Sequence, residues 1–180
     1  GKAPPVYAHL PTVLNEQGEK MSKRNGAKPV TQFRDEGYLP DAVVNYLARL
    51  GWSHGDDELF GRTQLIDWFD GSHLAKSPAQ WDAAKLNWVN SHYMKAASDE
   101  RLSALVSTQL SRRVGAQGQP ASISADQRLS AICALFKDRC DTTAALAEWA
   151  AAFYTEPPRS AEDYALHVTD AAKPAIAALA

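Results

Sequence analysis

The chain has 180 residues, 45% of them hydrophobic and 22% charged, and a formal net charge of -2. Such usage gives enough apolar chain for a buried core and excludes both wholesale disorder and a protein that coats nucleic acid by bulk charge. No apolar run approaches the roughly 20 residues of a membrane helix, and no charged-then-apolar leader opens the chain, so a soluble, cytoplasmic protein is expected.

The chain opens Gly1-Lys2-Ala3-Pro4 without an initiator methionine, the mark expected of a piece of something longer. Val6 to Asn15 reads as a short strand ending in the turn Asn15-Glu16-Gln17-Gly18, and the basic run Glu19 to Gly26 follows directly. From Pro29 the pattern becomes helical. Pro40 suits a first turn, Val43, Val44, Leu47 and Leu50 form an apolar face, and Gly51 is placed for a left-handed stop. Thr63 can cap a short helix with Leu65, Ile66 and Phe69 turned inward and Gly71 beyond it. Ser77-Pro78-Ala79-Gln80 reads as a capping box that starts a helix bearing Trp81, Leu86, Trp88, Val89 and Tyr93 as core residues.

A second helical block starts near Ser98, carries Leu102, Leu105, Val106 and Leu110, and stops at a linker, Gly115 to Pro120. Ser124 with Gln127 opens a further capped helix bearing Leu129, Ile132, Cys133 and Phe136. Leu146, Trp149, Ala150 and Phe153 mark the next, ended by Glu156-Pro157-Pro158. An alanine-rich stretch from Ala161 reaches Ala180 without a closing cap, again suggesting truncation. Cys133 and Cys140 stand seven apart, which places both on one helix face and favours buried thiols over a disulfide or a metal.

Charge is uneven. Residues 1–28 hold Lys2, Lys20, Lys23, Arg24 and Lys28 against Glu16 and Glu19, a local excess of about +3. In Lys20-Met21-Ser22-Lys23-Arg24, three cations lie within five residues, beside a glycine that lets the backbone bend. Mobile ammonium groups in such a loop can close on a polyphosphate and stabilise the charge that builds during attack at an α-phosphate, while Arg24 can add a planar fork. On charge pattern alone, a solvated basic turn would serve as well. Elsewhere, Lys85, Asn87 and Asn90 form a candidate nucleic-acid-facing set or a solvated polar face. Arg112 and Arg113 suit the end of a helix, and Asp56, Asp57 and Glu58 read as a solvated turn, lacking the spacing of a calcium loop.

The order of residues in the loop resembles the KMSKS signature of class I aminoacyl-tRNA synthetases. Its flanks sharpen the likeness: Tyr7-Ala8-His9-Leu10-Pro11 before it, the run Gly37 to Ser53 after it, then Phe69-Asp70, Ser77-Pro78-Ala79 and Lys85 to Asn90 are similar to bacterial glutamyl-tRNA synthetases. Lys137-Asp138-Arg139 and Thr143 to Glu148 continue it more faintly.

The fold implied is mainly α: residues 1–28 as the end of a Rossmann-type catalytic domain, 29–100 as a helical stem-contact region and 101–180 as a truncated helical anticodon-binding region. The resemblance implies a monomeric ligase that activates glutamate with ATP, accompanied by Mg, and esterifies the 3' end of tRNA(Glu). Lys23 matches the family's ATP-binding lysine; Lys20 is assigned beside it as catalytic, with Met21, Ser22 and Arg24 in the ATP-binding loop and Lys85, Asn87 and Asn90 toward tRNA. No protein-bound metal is expected. The family's HIGH motif has no counterpart in these residues, and His9, alone in His9-Leu10-Pro11, reads as structural, so the chain by itself is expected to be inactive. The rivals are a glutaminyl or nondiscriminating synthetase, the short paralogue that glutamylates a tRNA base and lacks a helical tail, and a noncatalytic helical RNA-binding module.

Overall fold

The structure is a computed structural model that describes residues 3–5, 7, 9–116, 122–155, 160, 162 and 168–174. Its elements are β1 (Val13–Leu14), α1 (Val30–Asp35), α2 (Pro40–Arg49), α3 (Arg62–Trp68), β2 (Ala79–Gln80), α4 (Ala83–Ala96), α5 (Asp99–Ala116), α6 (Gln127–Phe136), a 3-10 turn (Lys137–Arg139) and α7 (Thr143–Ala151). The mainly α expectation holds. Among the described residues, no helix is long and apolar enough to cross a membrane.

The strand expected over Val6 to Asn15 shortens to β1, and Ser77 to Gln80 does not start a helix. Instead β2 lies parallel to β1, with Val13 opposite Ala79 and Leu14 opposite Gln80. The helix begins at Ala83, where the Asp82 carboxylate accepts from the Lys85 N–H at 2.9 Å. A carboxylate placed just before the first turn satisfies a free backbone donor and favours the positive end of the helix dipole, which outcompetes the more distant Ser77. Similarly, Asp126 rather than Ser124 caps α6, accepting from Leu129 N–H at 2.9 Å. Gly61 precedes α3 and donates its N–H to the Gln64 side chain at 2.8 Å, leaving Thr63 inside the helix.

Glycines depart from expectation in two places. Gly51 does not adopt a left-handed conformation, and α5 runs through Gly115 to Ala116. The remainder of the expected linker, Gln117 to Pro120, lies outside the described residues, as do Glu156-Pro157-Pro158 and most of the alanine-rich tail.

One apolar core joins Phe33 of α1, Ala42, Val43 and Tyr46 of α2, Leu86 and Val89 of α4, Leu102, Val106 and Leu110 of α5, Leu129 and Ile132 of α6, and Leu146 and Ala150 of α7. It runs without a break across residue 100. The α2 core face is therefore rotated from the one expected, since Val44 and Leu47 stay about two-fifths exposed. Trp88, Trp149 and Phe153 are likewise exposed, as are Ile66 of α3 and Phe69 just past its end. Trp68 takes their inward role: its ring stacks on His54 at 4.1 Å and meets Phe60 edge-on. Cys133 and Cys140 are both buried free thiols, although Cys140 follows the 3-10 turn instead of sharing the helix, and burial pushes the Cys133 thiol up to about 11.

The sharpest packing constraint lies where the α1–α2 turn meets α7. Gly37 has φ +90°, its carbonyl accepts from the Thr143 N–H at 2.9 Å and Oγ1 at 3.1 Å, and a Cβ there would stand 2.4 Å from Ala144 N. Left-handed backbone and close approach together require glycine. Gly37→Ala is expected to destabilise the chain by more than about 2 kcal/mol, read as a lowered urea midpoint; an unchanged midpoint would contradict this packing.

Candidate functional site

The basic loop is a small doubled-back structure. After β1, the turn from Asn15 closes with Gly18 at φ +80°, and Asn15 N–H donates to Glu19 O at 2.8 Å. Lys20 then bridges antiparallel to Leu14, and Met21 N–H donates to Val13 O at 3.0 Å. A second turn follows at once: Asn25 N–H donates to Ser22 O at 2.8 Å and Ala27 N–H to the same carbonyl at 3.0 Å. Lys23 and Arg24 therefore occupy the tip, both exposed.

Three contacts attach this loop to the helices. Gln80 Nε2 donates to Glu16 O at 2.8 Å, Ala83 N–H donates to Glu16 Oε1 at 3.0 Å, and Lys28 pairs with Glu36 of α1 at 2.8 Å. Burial pushes the Glu36 carboxyl up, but its bonds from Lys28 and Gln32 outweigh this and hold it below the usual carboxylate range. Met21, half-buried, lines a cleft of about 210 Å³ with Val13, Ala27, Val30, Phe33 and Trp81. Trp81 closes the back, 5.5 Å from the Phe33 ring and 4.9 Å from that of Tyr46. The loop thus has an apolar root and a cationic tip.

Lys20, Lys23 and Arg24 form no ion pair among the described residues, a state they share with Lys76 and Lys95, whereas Lys28, Arg34, Lys85, Arg101, Arg112, Arg113 and Lys137 each have an acidic neighbour. Unpaired ammonium groups at an exposed turn can converge on a polyanion without first breaking a bond to an acid. Glu19, sequential neighbour of Lys20, is instead held by the amides of Asn25 and Asn15, which lower its carboxyl below the ordinary range. In the sequence Asn15 reads as a turn residue and Asn25 is given no role; a side chain that can bond its own backbone on one edge and a neighbour on the other was the available signal.

The set Lys85, Asn87 and Asn90 does not form a common face. Lys85 pairs with Glu58 and lies 4.1 Å from the Trp88 ring centre. Asn87 Oδ1 accepts from the Tyr38 hydroxyl at 2.6 Å. Asn90 is fully buried: its Oδ1 accepts from the Leu39 N–H at 2.8 Å and its Nδ2 donates to the Asp141 carbonyl. Those partners correct the expectation that Asn90 faces solvent, because a buried carboxamide is held where both its edges are satisfied. His9 is exposed, Arg112 and Arg113 sit at the surface beside Asp35 and Glu148, and the Asp57 carboxylate pairs with His54 at 3.1 Å.

Residues 1–88, which include the exposed basic hairpin, match the family of tRNA synthetases class I (E and Q), catalytic domain. Relatives narrow this further. The chain is 67% identical over 179 residues to the glutamate–tRNA ligase of Paracidovorax citrulli, covering 99% of this chain and 37% of that protein. Against the glutamate–tRNA ligase of Verminephrobacter eiseniae it is 64% identical over 180 residues, covering 100% of itself and 38% of that protein. A crystal structure of a glutamate tRNA ligase from Elizabethkingia meningosepticum, in complex with its amino acid, superposes with a TM-score of 0.68 at 25% identity, covering 96% of this chain and 37% of the other. Along its whole length the chain is similar to these glutamate–tRNA ligases, and it spans somewhat over a third of their length.

Asn90→Ala is expected to cost about 1–3 kcal/mol by stranding the Leu39 N–H and the Asp141 carbonyl, whereas Lys85→Ala, at a surface pair, costs under about 1 kcal/mol. Thermal melts of the two variants check this; equal melting temperatures would contradict it.

Proposed function

We propose that this chain is the part of a glutamate–tRNA ligase that grips ATP and supports the bound tRNA. The observation that carries the proposal is the Lys20-Met21-Ser22-Lys23-Arg24 loop, its cations exposed and unpaired by acids among the described residues, in a chain 67% identical to such a ligase. The complete enzyme activates glutamate by attack of its carboxylate on the ATP α-phosphate, forming glutamyl-adenylate and releasing pyrophosphate. The terminal adenosine of tRNA(Glu) then takes the glutamyl group as an ester.

In this reading, Lys23 is aimed at the phosphates, and Lys20 shares the developing charge on the departing pyrophosphate. Charge that grows during the reaction is stabilised more than charge already present in ATP, so such contacts accelerate the step and do more than bind. Met21 seats the loop in its apolar cleft, the Ser22 backbone closes the tip, and Arg24 adds planar donors. Magnesium enters bound to the ATP phosphates. Residues 1–28 belong to the catalytic domain, 29–100 to a stem-contact region and 101–180 to an anticodon-binding region, in a monomeric cytoplasmic enzyme. Of the residues proposed toward tRNA, Lys85 and Asn87 keep partial exposure, while Asn90 serves by pinning α4 to its neighbours.

In the complete ligase, Lys23→Ala is expected to lower kcat for aminoacylation by about a hundredfold, with the KM for tRNA unchanged. A variant that charges tRNA at the wild-type rate would sink the assignment.

A further inference from the structure

We infer that Asn15, Glu19 and Asn25 form a positioning cluster that closes the base of the basic loop and keeps the Glu19 carboxylate away from Lys20, Lys23 and Arg24. This rests on the reading of the loop as a polyphosphate grip and goes beyond it by assigning residues outside the signature. Each end of the loop contributes. Asn15 is nearly buried, its Oδ1 accepts from the Gln17 N–H at 3.0 Å and the Glu19 N–H at 2.9 Å, and its Nδ2 donates across the loop to Asn25 Oδ1 at 2.9 Å. Asn25 Nδ2 in turn donates to Glu19 Oε2 at 2.8 Å and reaches the Lys20 carbonyl at 3.4 Å. Asn15 Nδ2 also lies 3.4 Å from Glu19 Oε2.

Two consequences follow from this wiring. First, the residues before and after the cationic tip are tied by side chains ten and six positions apart, so the tip cannot shift register without breaking several bonds together. Three like charges within five residues repel one another, and the cluster opposes their spreading. Second, a carboxylate next to Lys20 would ordinarily find an ammonium partner. Here its bonded oxygen takes amide donors from Asn25 and Asn15, and no cation of the tip pairs with it. A carboxamide suits position 25 because it both accepts from Asn15 and donates to Glu19; aspartate there would set two carboxylates against each other, and alanine would leave Glu19 to the lysines.

These residues are positioning groups: they act on ATP through the loop. The test uses the complete ligase with three variants, Lys23→Ala, Asn25→Ala and Asn25→Ala combined with Glu19→Gln, and reads kcat, the KM for ATP, the KM for glutamate and the melting temperature. Asn25→Ala is expected to raise the KM for ATP about tenfold without changing the KM for glutamate or the melting temperature. Adding Glu19→Gln is expected to recover most of that loss, because no carboxylate remains to occupy a lysine; a residue that merely holds the fold would show no such rescue. A wild-type KM for ATP in Asn25→Ala, beside a crippled Lys23→Ala, overturns the cluster's role and leaves the loop assignment standing. Failure of Glu19→Gln to rescue likewise overturns it. Full activity in Lys23→Ala overturns the loop assignment and the cluster's role with it.

Discussion

A pairing two residues long fixes where the cationic loop stands. Val13 and Leu14 lie parallel to Ala79 and Gln80, the Trp81 N–H continues the ladder to Leu14 O at 2.8 Å, and the Glu16 carboxylate caps the Ala83 N–H. So short a sheet would not persist alone in water. It persists here because Trp81 is packed among Phe33 and Tyr46, and because the Tyr46 hydroxyl bonds both the N–H and the carbonyl of Asp82. The loop is thereby referenced to α1, α2 and α4 together, and its tip can carry unpaired cations without the root giving way.

That platform draws its stiffness from residues far along the chain. Gly37 meets Thr143, Asn90 joins Leu39 to Asp141, and Lys137 donates to the Ala97 carbonyl at 3.1 Å and forms an ion pair with Asp99 at 2.9 Å. These contacts tie the turn behind the loop and the α4–α5 junction to the α6–α7 pair, and the apolar core follows the same path. A buried carboxamide with both edges satisfied, as at Asn90, specifies one arrangement of packed helices where an apolar contact alone would tolerate several.

Helices were legible wherever apolar residues recur along a long stretch, as with α2 and with Leu102, Val106 and Leu110 of α5, since that periodicity is a local property of the chain. The loop's residue order was equally local and carried the family resemblance. What stayed hidden depends on distant partners. Nothing near Ser77 announces that Ala79 and Gln80 pair with a strand more than sixty positions earlier, so a passable capping box was read as a helix start. Which side of α4 holds Asn90 is decided by Leu39 and Asp141, and the same polar spacing would also suit a solvated face. The Asn15–Glu19–Asn25 cluster was within reach of turn chemistry, but its meeting across the loop depends on the second turn at Ser22.

In the proposed function, the loop cations, unpaired among the described residues, are engaged by ATP. Amine-selective labelling of the complete ligase, followed by mass spectrometry, reads this directly. Lys20 and Lys23 should label readily without nucleotide, and ATP should protect Lys23 while leaving the exposed Lys76 equally reactive. Equal labelling of Lys23 with and without saturating ATP would contradict the account.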